Sequence, residues 1–378
     1  MIPKQKHLFD LPHGVTYLNC CYMSPQLLNV TEAGKQALHR KARPWNITVP
    51  DFFEESEETR GLFSKLVEAE PDDIAFVPSA SYGIAVAARN LKVEKNSKII
   101  MLQEQFPSNV LTWEELAKEQ GAETLFLEDR DQTGWTRRVL DVLDERTAVL
   151  ALPQVHWKDG RLIDLEAVGK RCRELGTALV LDLTQSAGAV PFSVKSVQPD
   201  FMVASTYKWL LGPYSMGFLY VNPRRQQGVP IEHNWINRRN REDFAGLVEY
   251  QQDYQGGARR YDVGERSNFM LMPMVLAALK QILAWQVRDI AAKLQVLTQR
   301  VAEGAEELGL LVPDLSQRAP HFLGLGFPAG VPESVLEDLK REQVHVSVRG
   351  DSMRVSPHLF NFGSDVDKLF DVLRERIH

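Results

Sequence analysis

Apolar and polar positions alternate in blocks through the middle of this chain. Short apolar runs of about five residues are separated by amphipathic stretches of roughly ten. The apolar runs predict strands at residues 74–77, 98–102, 123–127, 148–152, 178–182 and 201–204. Strands that alternate with helices of this length predict an α/β fold with a mainly parallel sheet covered on both faces.

The flanking segments show other patterns. Helical periodicity at residues 27–42 and 51–68 precedes the first strand, and periodicity fades from residue 222 to 266, where arginines cluster. The remainder predicts a long helix at 272–308, strands at 321–327 and 344–348, and helices at 332–342 and from 365 onward. We therefore predict a large α/β domain over residues 16–265 and a small α+β domain formed by residues 1–15 and 266–378.

The composition is that of an ordinary globular protein. Of 378 residues, 44% are hydrophobic and 25% are charged, and the net charge of −6 argues against nucleic acid as a partner. Three cysteines, of which Cys20 and Cys21 are adjacent, make no disulfide framework and favour a reducing cytoplasm. No signal peptide and no apolar run of roughly 20 residues is found, so we expect a cytoplasmic enzyme without a membrane partner.

The most informative stretch follows the last predicted strand of the sheet. That strand, residues 201–204, ends at two hydroxyl residues, Ser205 and Thr206, and Lys208 follows between Tyr207 and Trp209. Apolar neighbours disfavour the ammonium form of a lysine, which frees its amine as a nucleophile. Asp182 stands where the preceding apolar run ends, and such an acid and lysine are the pair that a pyridoxal phosphate (PLP) site needs. Taken alone, a lysine after a strand is more often a surface residue.

Two further features are compatible with such a site. The turn Ser79-Ala80-Ser81 joins a predicted strand to a helix and places free N–H groups and hydroxyls at the helix N-terminus, which suits an anion, although alone it reads as a plain cap. Phe106, in the loop after the next strand, could belong to the core or stack on a cofactor ring. Ligands of such sheets bind at the carboxyl ends of strands, where His156 also falls.

With these pieces placed, the chain resembles the class V branch of the fold-type I PLP-dependent enzymes. This family holds aminotransferases, cysteine desulfurases, kynureninases and related lyases. The resemblance covers nearly the whole chain and is strongest at residues 181–188 and 205–208. It implies a large PLP-binding domain with a smaller C-terminal α+β domain.

The resemblance also implies a role for each matched residue. Lys208 would hold the PLP aldehyde as a Schiff base, Asp182 would pair with the pyridine nitrogen, and Gln185 would hydrogen-bond the phenolic oxygen. Phe106 would stack on the ring, and His156 would lie near the phenolic oxygen and the substrate. The implied phosphate contacts are Ser79, Ala80, Ser81, Ser205 and Tyr207.

Three residues further along complete the implied site. Arg354 matches the arginine that clamps a substrate α-carboxylate through two charge-assisted bonds, the alternative being a surface arginine on an edge strand. Trp235 and Asn268 resemble segments that reach the cofactor of a neighbouring subunit. The resemblance therefore implies a homodimer with shared active sites.

The chain departs from the family in two places. Desulfurases carry a nucleophilic cysteine on the loop before the carboxylate-binding arginine, whereas residues 348–354 contain none. Cys20, Cys21 and Cys172 lie in segments that do not match this loop, so persulfide chemistry on the usual pattern is not expected. Pro153 stands where kynureninases have a serine, which weakens a kynureninase assignment.

We therefore expect a PLP-dependent enzyme that acts on an α-amino acid, with aminotransferase as the first choice. Lys208 would shuttle the Cα proton as general base and acid. Two alternatives stay open, a β-eliminating or C–C lyase and a non-enzymatic interaction protein on the same fold. No metal site is predicted.

Overall fold

Twelve strands form three sheets in the computed structural model, which describes residues 2–129 and 133–377. In chain order they are β1 (Thr16–Tyr17), β2 (Ile74–Val77), β3 (Lys98–Leu102), β4 (Glu123–Leu127), β5 (Thr147–Pro153), β6 (Ala178–Asp182), β7 (Phe201–Ser205), β8 (Gly217–Val221), β9 (Leu323–Gly326), β10 (Val344–His345), β11 (Ser347–Arg349) and β12 (Ser352–Val355).

The central sheet has seven strands in the order β2-β8-β7-β6-β5-β3-β4. Strands β3 to β7 pair in parallel, and β8 runs antiparallel to β2 and β7. The mainly parallel sheet predicted from the sequence is confirmed. The sequence did not predict β8, because no helical pattern separates it from β7 and the alternation of strands and helices therefore gives no signal.

Helices cover both faces of this sheet. The helices of the described residues, including α9 to α11 of the C-terminal part, are α1 (Leu28–Lys41), α2 (Glu54–Val67), α3 (Ala80–Asn90), α4 (Leu111–Gln120), α5 (Trp135–Val142), α6 (Leu165–Leu175), α7 (Val194–Val197), α8 (Met272–Trp285), α9 (Val287–Glu307), α10 (Glu333–Arg341) and α11 (Gly363–Arg374). Alternate residues of a strand enter different apolar clusters: Val180 packs in the cluster of α3 and α4, whereas Leu179 and Leu181 join the larger cluster on the other face. Burial on both faces explains why the strands read as unbroken apolar runs.

The long helix predicted at residues 272–308 is two helices. Gln286, between α8 and α9, has a φ of +64° in the left-handed region, which ends the first helix. α8 packs against α1 and α2, whereas α9 packs against α11 and β9. The chain must turn at this point because its two halves cover different layers.

The C-terminal part contains a small antiparallel sheet in the order β11-β12-β9. The predicted strand at 344–348 is divided, because β10 pairs in parallel with β1 and β11 pairs with β12. The proposed boundary between a large and a small domain stays a prediction. In the described ranges, no helix combines the length and apolar character that crossing a membrane requires.

Candidate active site

A cavity of about 240 Å³ lies at the carboxyl ends of β2, β3, β5, β6 and β7. The predicted residues that line it are Ser79, Ala80, Ser81, Phe106, Asp182, Gln185, Ser205, Tyr207 and Lys208. Side chains that are far apart in the sequence meet here because parallel strands bring their carboxyl ends to one edge of the sheet.

The turn between β2 and α3 forms one end of the cavity. Ser79 precedes the first turn of α3, and its Oγ accepts a hydrogen bond from the Tyr82 N–H at 3.2 Å and lies 2.9 Å from Ser81 Oγ. A Cβ at Gly83 would collide with Val203 of β7, so this glycine lets α3 lie close to the sheet. The N–H groups of the first turn and the two hydroxyls form a seat for an anion.

Lys208 lies at the centre of the cavity wall. The residue is buried, with only 6% of its surface exposed. Its Nζ lies 5.6 Å from the ring centroid of Phe106 and 5.6 Å from that of Tyr207. Burial lowers the pKa of Lys208 to about 8, and the positive charge of Arg354 acts in the same direction, while Asp182 opposes it. A neutral, nucleophilic amine is therefore accessible near physiological pH.

Asp182 is the last residue of β6, and only 7% of its surface is exposed. Its Oδ1 accepts a hydrogen bond from the Thr184 N–H at 2.9 Å. Burial raises the pKa of this carboxyl group. No Lys, Arg or His nitrogen of the described residues comes within 4.0 Å of it, so the carboxylate lacks the close cation that would balance its charge.

Gln185 is held in place by two protein contacts. Its Nε2 donates to the carbonyl oxygen of Cys21 at 2.9 Å, and its Oε1 accepts from Trp209 Nε1 at 3.2 Å. A side-chain amide has two N–H bonds, so one remains for a ligand in the cavity.

Arg354 of β12 lies directly behind the cavity wall and is 1% exposed. Its Nε and Nη2 donate to Ser347 Oγ at 3.1 and 2.8 Å, and its Nη1 donates to the carbonyl oxygen of Trp157 at 3.1 Å. These partners are neutral. Burial lowers the pKa of Arg354, and the positive charge of Arg349 acts in the same direction.

His156 does not join the cavity. Its Nε2 lies 3.2 Å from the carbonyl oxygen of Gln103 and its Nδ1 lies 3.3 Å from Asp159 Oδ1, in a separate polar cleft. Val155 pairs with Leu162 across a bridge, and the Gly160 N–H donates to the carbonyl oxygen of His156 at 2.9 Å, so the chain turns here and His156 and Trp157 line different cavities. The predicted position of His156 beside the phenolic oxygen of the cofactor stays a prediction.

Trp157, the residue after His156, lines the cavity although the sequence analysis did not name it. Its ring packs edge-on against Phe106 at 5.3 Å between centroids, and its Nε1 donates to the carbonyl oxygen of Glu104 at 2.6 Å. The signal for this residue was an aromatic side chain in the loop after a central strand. Sequence alone could not tell which of two neighbouring ring residues faces inward.

Trp235 and Asn268 lie outside the cavity of their own chain. Trp235 is 40% exposed and packs edge-on against Phe244 at 5.5 Å. Asn268 Oδ1 accepts from the N–H groups of Met270 and Leu271 at the start of α8. Their contact with the cofactor of a second chain stays a prediction.

The groups around the cavity match the chemistry of PLP one by one. The helix N-terminus suits a phosphate, and the Phe106 ring suits an aromatic ring. Asp182 lacks a cation, which a protonated pyridine nitrogen provides, and Lys208 offers an amine for the aldehyde. The residues present therefore fit this cofactor.

Comparison with known proteins gives a family match over most of the chain. The sequence model of the aminotransferase class-V family matches residues 39–363. The uncharacterized aminotransferase YcbU of Bacillus subtilis is 25% identical over an alignment that covers 100% of this chain and 99% of that protein.

Solved structures share the fold. The apo cysteine desulfurase of Thermococcus onnurineus NA1 superimposes with a TM-score of 0.85 at 20% identity, covering 100% of this chain and 99% of that chain. A variant of C-DES, with glycine covalently linked to its PLP cofactor, superimposes with a TM-score of 0.85 at 16% identity, covering 98% and 99% of the two chains. C-DES is a cystine C–S lyase.

Proposed function

The chain belongs to the aminotransferase class-V family, a fold-type I family whose cofactor is pyridoxal 5′-phosphate, and from this premise we propose that it is an aminotransferase for an α-amino acid. The observation that carries the proposal is the meeting of Lys208, Asp182 and the N-terminus of α3 in one cavity. Each group there lacks the partner that the cofactor provides.

When bound, PLP supplies an electrophilic aldehyde and a protonated ring that takes up the electron pair left at the substrate Cα. The N–H groups and hydroxyls of residues 79–81 would hold its phosphate, and the Asp182 carboxylate would keep the ring nitrogen protonated. Gln185 would offer its remaining N–H to the phenolic oxygen. Phe106 would stack on the ring and exclude water from it.

Two residues act on the substrate in this proposal. Arg354 binds the α-carboxylate through its planar fork of N–H donors and so fixes the orientation of the Cα–H bond. The amine of Lys208, whose pKa burial lowers to about 8, takes the Cα proton and later returns it. A residue with this pKa can act both as base and as acid near neutral pH.

The sulfur atoms of the chain do not favour a desulfurase. Cys20, Cys21 and Cys172 are all buried, and burial raises the pKa of the Cys172 thiol to about 12. Persulfide chemistry requires a thiolate that can reach the substrate and then solvent. A β-eliminating lyase uses the same groups as an aminotransferase, and the reaction products separate the two.

The first experiment locates the cofactor. The PLP-loaded protein is reduced with borohydride, digested and mapped by mass spectrometry, and we expect the pyridoxyl label on Lys208. The Lys208→Ala variant should lack both the label and the near-visible absorbance of the wild-type protein. A label on another lysine, or a colourless protein that takes up no PLP, would reject the proposal in favour of an interaction protein.

The second experiment identifies the reaction. A panel of amino acids is added first without and then with a 2-oxo acid acceptor. Formation of pyridoxamine phosphate, followed by its return to PLP with the acceptor, supports transamination. Ammonia and pyruvate formed without an acceptor would instead identify a β-eliminating lyase.

We also propose that the chain forms a homodimer in the cytoplasm. The exposed aromatic residues Trp235, Phe244 and Tyr250 lie in one segment whose counterpart in related enzymes is expected to reach a second subunit. Burying such a surface is favourable. Light scattering at micromolar concentration should give twice the monomer mass of 42.9 kDa.

A further inference from the structure

Two arginines share one face of the small sheet, on the side that meets Trp157. The pairing of β11 with β12 sets Ser347 opposite Arg354 and Arg349 opposite Ser352. Residues that lie opposite each other share a face, and so do alternate residues of one strand. Arg349 and Arg354 are therefore diagonal neighbours on the same face, with their Cβ atoms roughly 7 Å apart.

Both guanidinium groups lie against the ring of Trp157. The Cζ of Arg349 is 5.6 Å from the ring centroid and the Cζ of Arg354 is 5.4 Å from it. Trp157 is itself a wall residue of the cavity, in contact with Phe106. Two positive charges thus lie within one side chain of the place where a substrate would bind.

Neither arginine has an acidic partner. Arg354 donates only to Ser347 Oγ and the Trp157 carbonyl oxygen, and Arg349 Nη1 donates to the carbonyl oxygen of Val348 at 2.7 Å. Across the described ranges, no carboxylate oxygen lies within 4.0 Å of either group. Two like charges that are partly removed from water and lack a counter-ion are unfavourable until an anion binds.

Two acids in segments next to Trp157 and Arg349 pair with a lysine. Lys158, the next residue after Trp157, places its Nζ 2.8 Å from Glu104 Oε2 and 2.9 Å from Asp351 Oδ1. This lysine therefore occupies two carboxylates that could otherwise neutralise an arginine. The two guanidinium groups therefore have no carboxylate partner among the described residues and can bind an anionic ligand.

We propose that Arg349 binds a second anionic group of the substrate, so that the enzyme acts on amino acids with an acidic side chain. This inference rests on the proposed function, in which Arg354 takes the α-carboxylate. One guanidinium fork binds one carboxylate, so the second arginine fits the side-chain carboxylate of a dicarboxylic amino acid. A sulfonate or phosphonate in the same place has the same chemistry.

The test compares ligands that differ only in that charge. Glutamate is titrated against glutamine, and aspartate against asparagine, with the cofactor absorbance of the loaded protein as the signal. Calorimetric binding of the unreactive dicarboxylate glutarate, compared with its monocarboxylate analogue pentanoate, gives a readout independent of turnover. We expect the acidic ligands to bind about tenfold more tightly in each pair.

Substitution of the arginine should remove this preference. In Arg349→Gln, the acidic ligands should bind about tenfold more weakly while the neutral ligands change less than about twofold, and Arg349→Lys should keep part of the preference. The matched control is Arg341→Gln, which removes a charge from an exposed position at the end of α10. It should leave every affinity unchanged, and equal melting temperatures would confirm that the variants fold.

The outcomes separate this inference from the proposed function. Equal affinities for glutamate and glutamine, with both still perturbing the cofactor absorbance, would overturn the role of Arg349 and leave the aminotransferase intact. A preference that survives in Arg349→Gln would overturn it as well. Amino acids that leave the absorbance unperturbed, combined with tight glutarate binding, would instead reject the proposed function.

Discussion

Buried arginines occur in two regions of this protein with opposite electrostatic settings. Beneath β2, Arg60 Nη2 lies 2.7 Å from Asp262 Oδ2, and Arg266 Nε lies 3.2 Å from the same oxygen. Arg259 Nη2 lies 2.6 Å from Glu57 Oε2. Every cation in this cluster has a carboxylate beside it.

The pKa values of the first region reflect that pairing. Burial alone would lower the pKa of Arg60, but Asp262 and Glu57 raise it above its ordinary value. Burial would likewise raise the pKa of Glu57, whereas the neighbouring arginines lower it to about 2. Each charge has an opposite charge within 4.0 Å, although burial still lowers the pKa of Arg266 to about 10, so this cluster belongs to the structure.

On the small sheet, Arg349 and Arg354 have no such partners, and burial keeps the pKa of Arg354 below its ordinary value. The two regions therefore teach a rule for this molecule. A buried arginine with a carboxylate holds the chain together, and one that faces only neutral groups beside a cavity awaits an anion. The predictions below set the two regions against each other.

The largest effect is expected from Asp262→Asn in the paired cluster. The change removes the carboxylate shared by Arg60 and Arg266 and leaves Glu57 to balance both buried cations. Breaking a buried ion pair on one side costs about 3–5 kcal/mol of unfolding free energy. Chemical denaturation should show this loss.

The matched control for that measurement is Asp367→Asn, whose partner Arg300 is half exposed. An exposed ion pair contributes about 0–1 kcal/mol, so this variant should unfold nearly as the wild type does. Similar losses in both variants would show that burial of the cluster does not matter.

Arg354→Gln should give the opposite result. Removing an uncompensated cation should leave the unfolding free energy unchanged or raise it, because no carboxylate loses a partner. For the substrate, loss of a charge-assisted fork should reduce kcat/KM about 100-fold, which is about 2.7 kcal/mol. The measurement is steady-state kinetics beside a denaturation curve. A large loss of stability with unchanged kinetics would place Arg354 in the structural group instead.

The sequence predicted the fold and nine of the residues that line the cavity because both follow from one-dimensional signals. Apolar runs mark strands such as β6, and the strand-turn-helix pattern at Ser79 marks an anion seat. The helix break at Gln286 could not be predicted, because it depends on which parts of the fold α8 and α9 pack against. Tertiary packing likewise decides that Trp157, and not His156, lines the cavity. The role of Arg349 could not be predicted either, because it depends on the pairing of β11 with β12 and on two carboxylates that pair with Lys158.

The smallest effect concerns Lys208, a buried cation with no carboxylate oxygen within 4.0 Å among the described residues. Burial, with the charges of Arg354 and Arg349 adding to it, lowers its pKa to about 8 from an ordinary value of 10.5. Only the neutral amine attacks the PLP aldehyde, so the rate of cofactor uptake by the cofactor-free protein should rise about fivefold from pH 7 to 8 and less than twofold above it. With an unperturbed lysine, the rate of cofactor uptake would keep rising up to about pH 10.

In Arg354→Gln, the loss of a like charge should raise the pKa of Lys208 and so move the plateau of the uptake rate to higher pH. A plateau that stays in place would show that burial alone sets this pKa. Stopped-flow absorbance across this pH range makes the measurement, with Asp367→Asn as the control that should leave the profile in place.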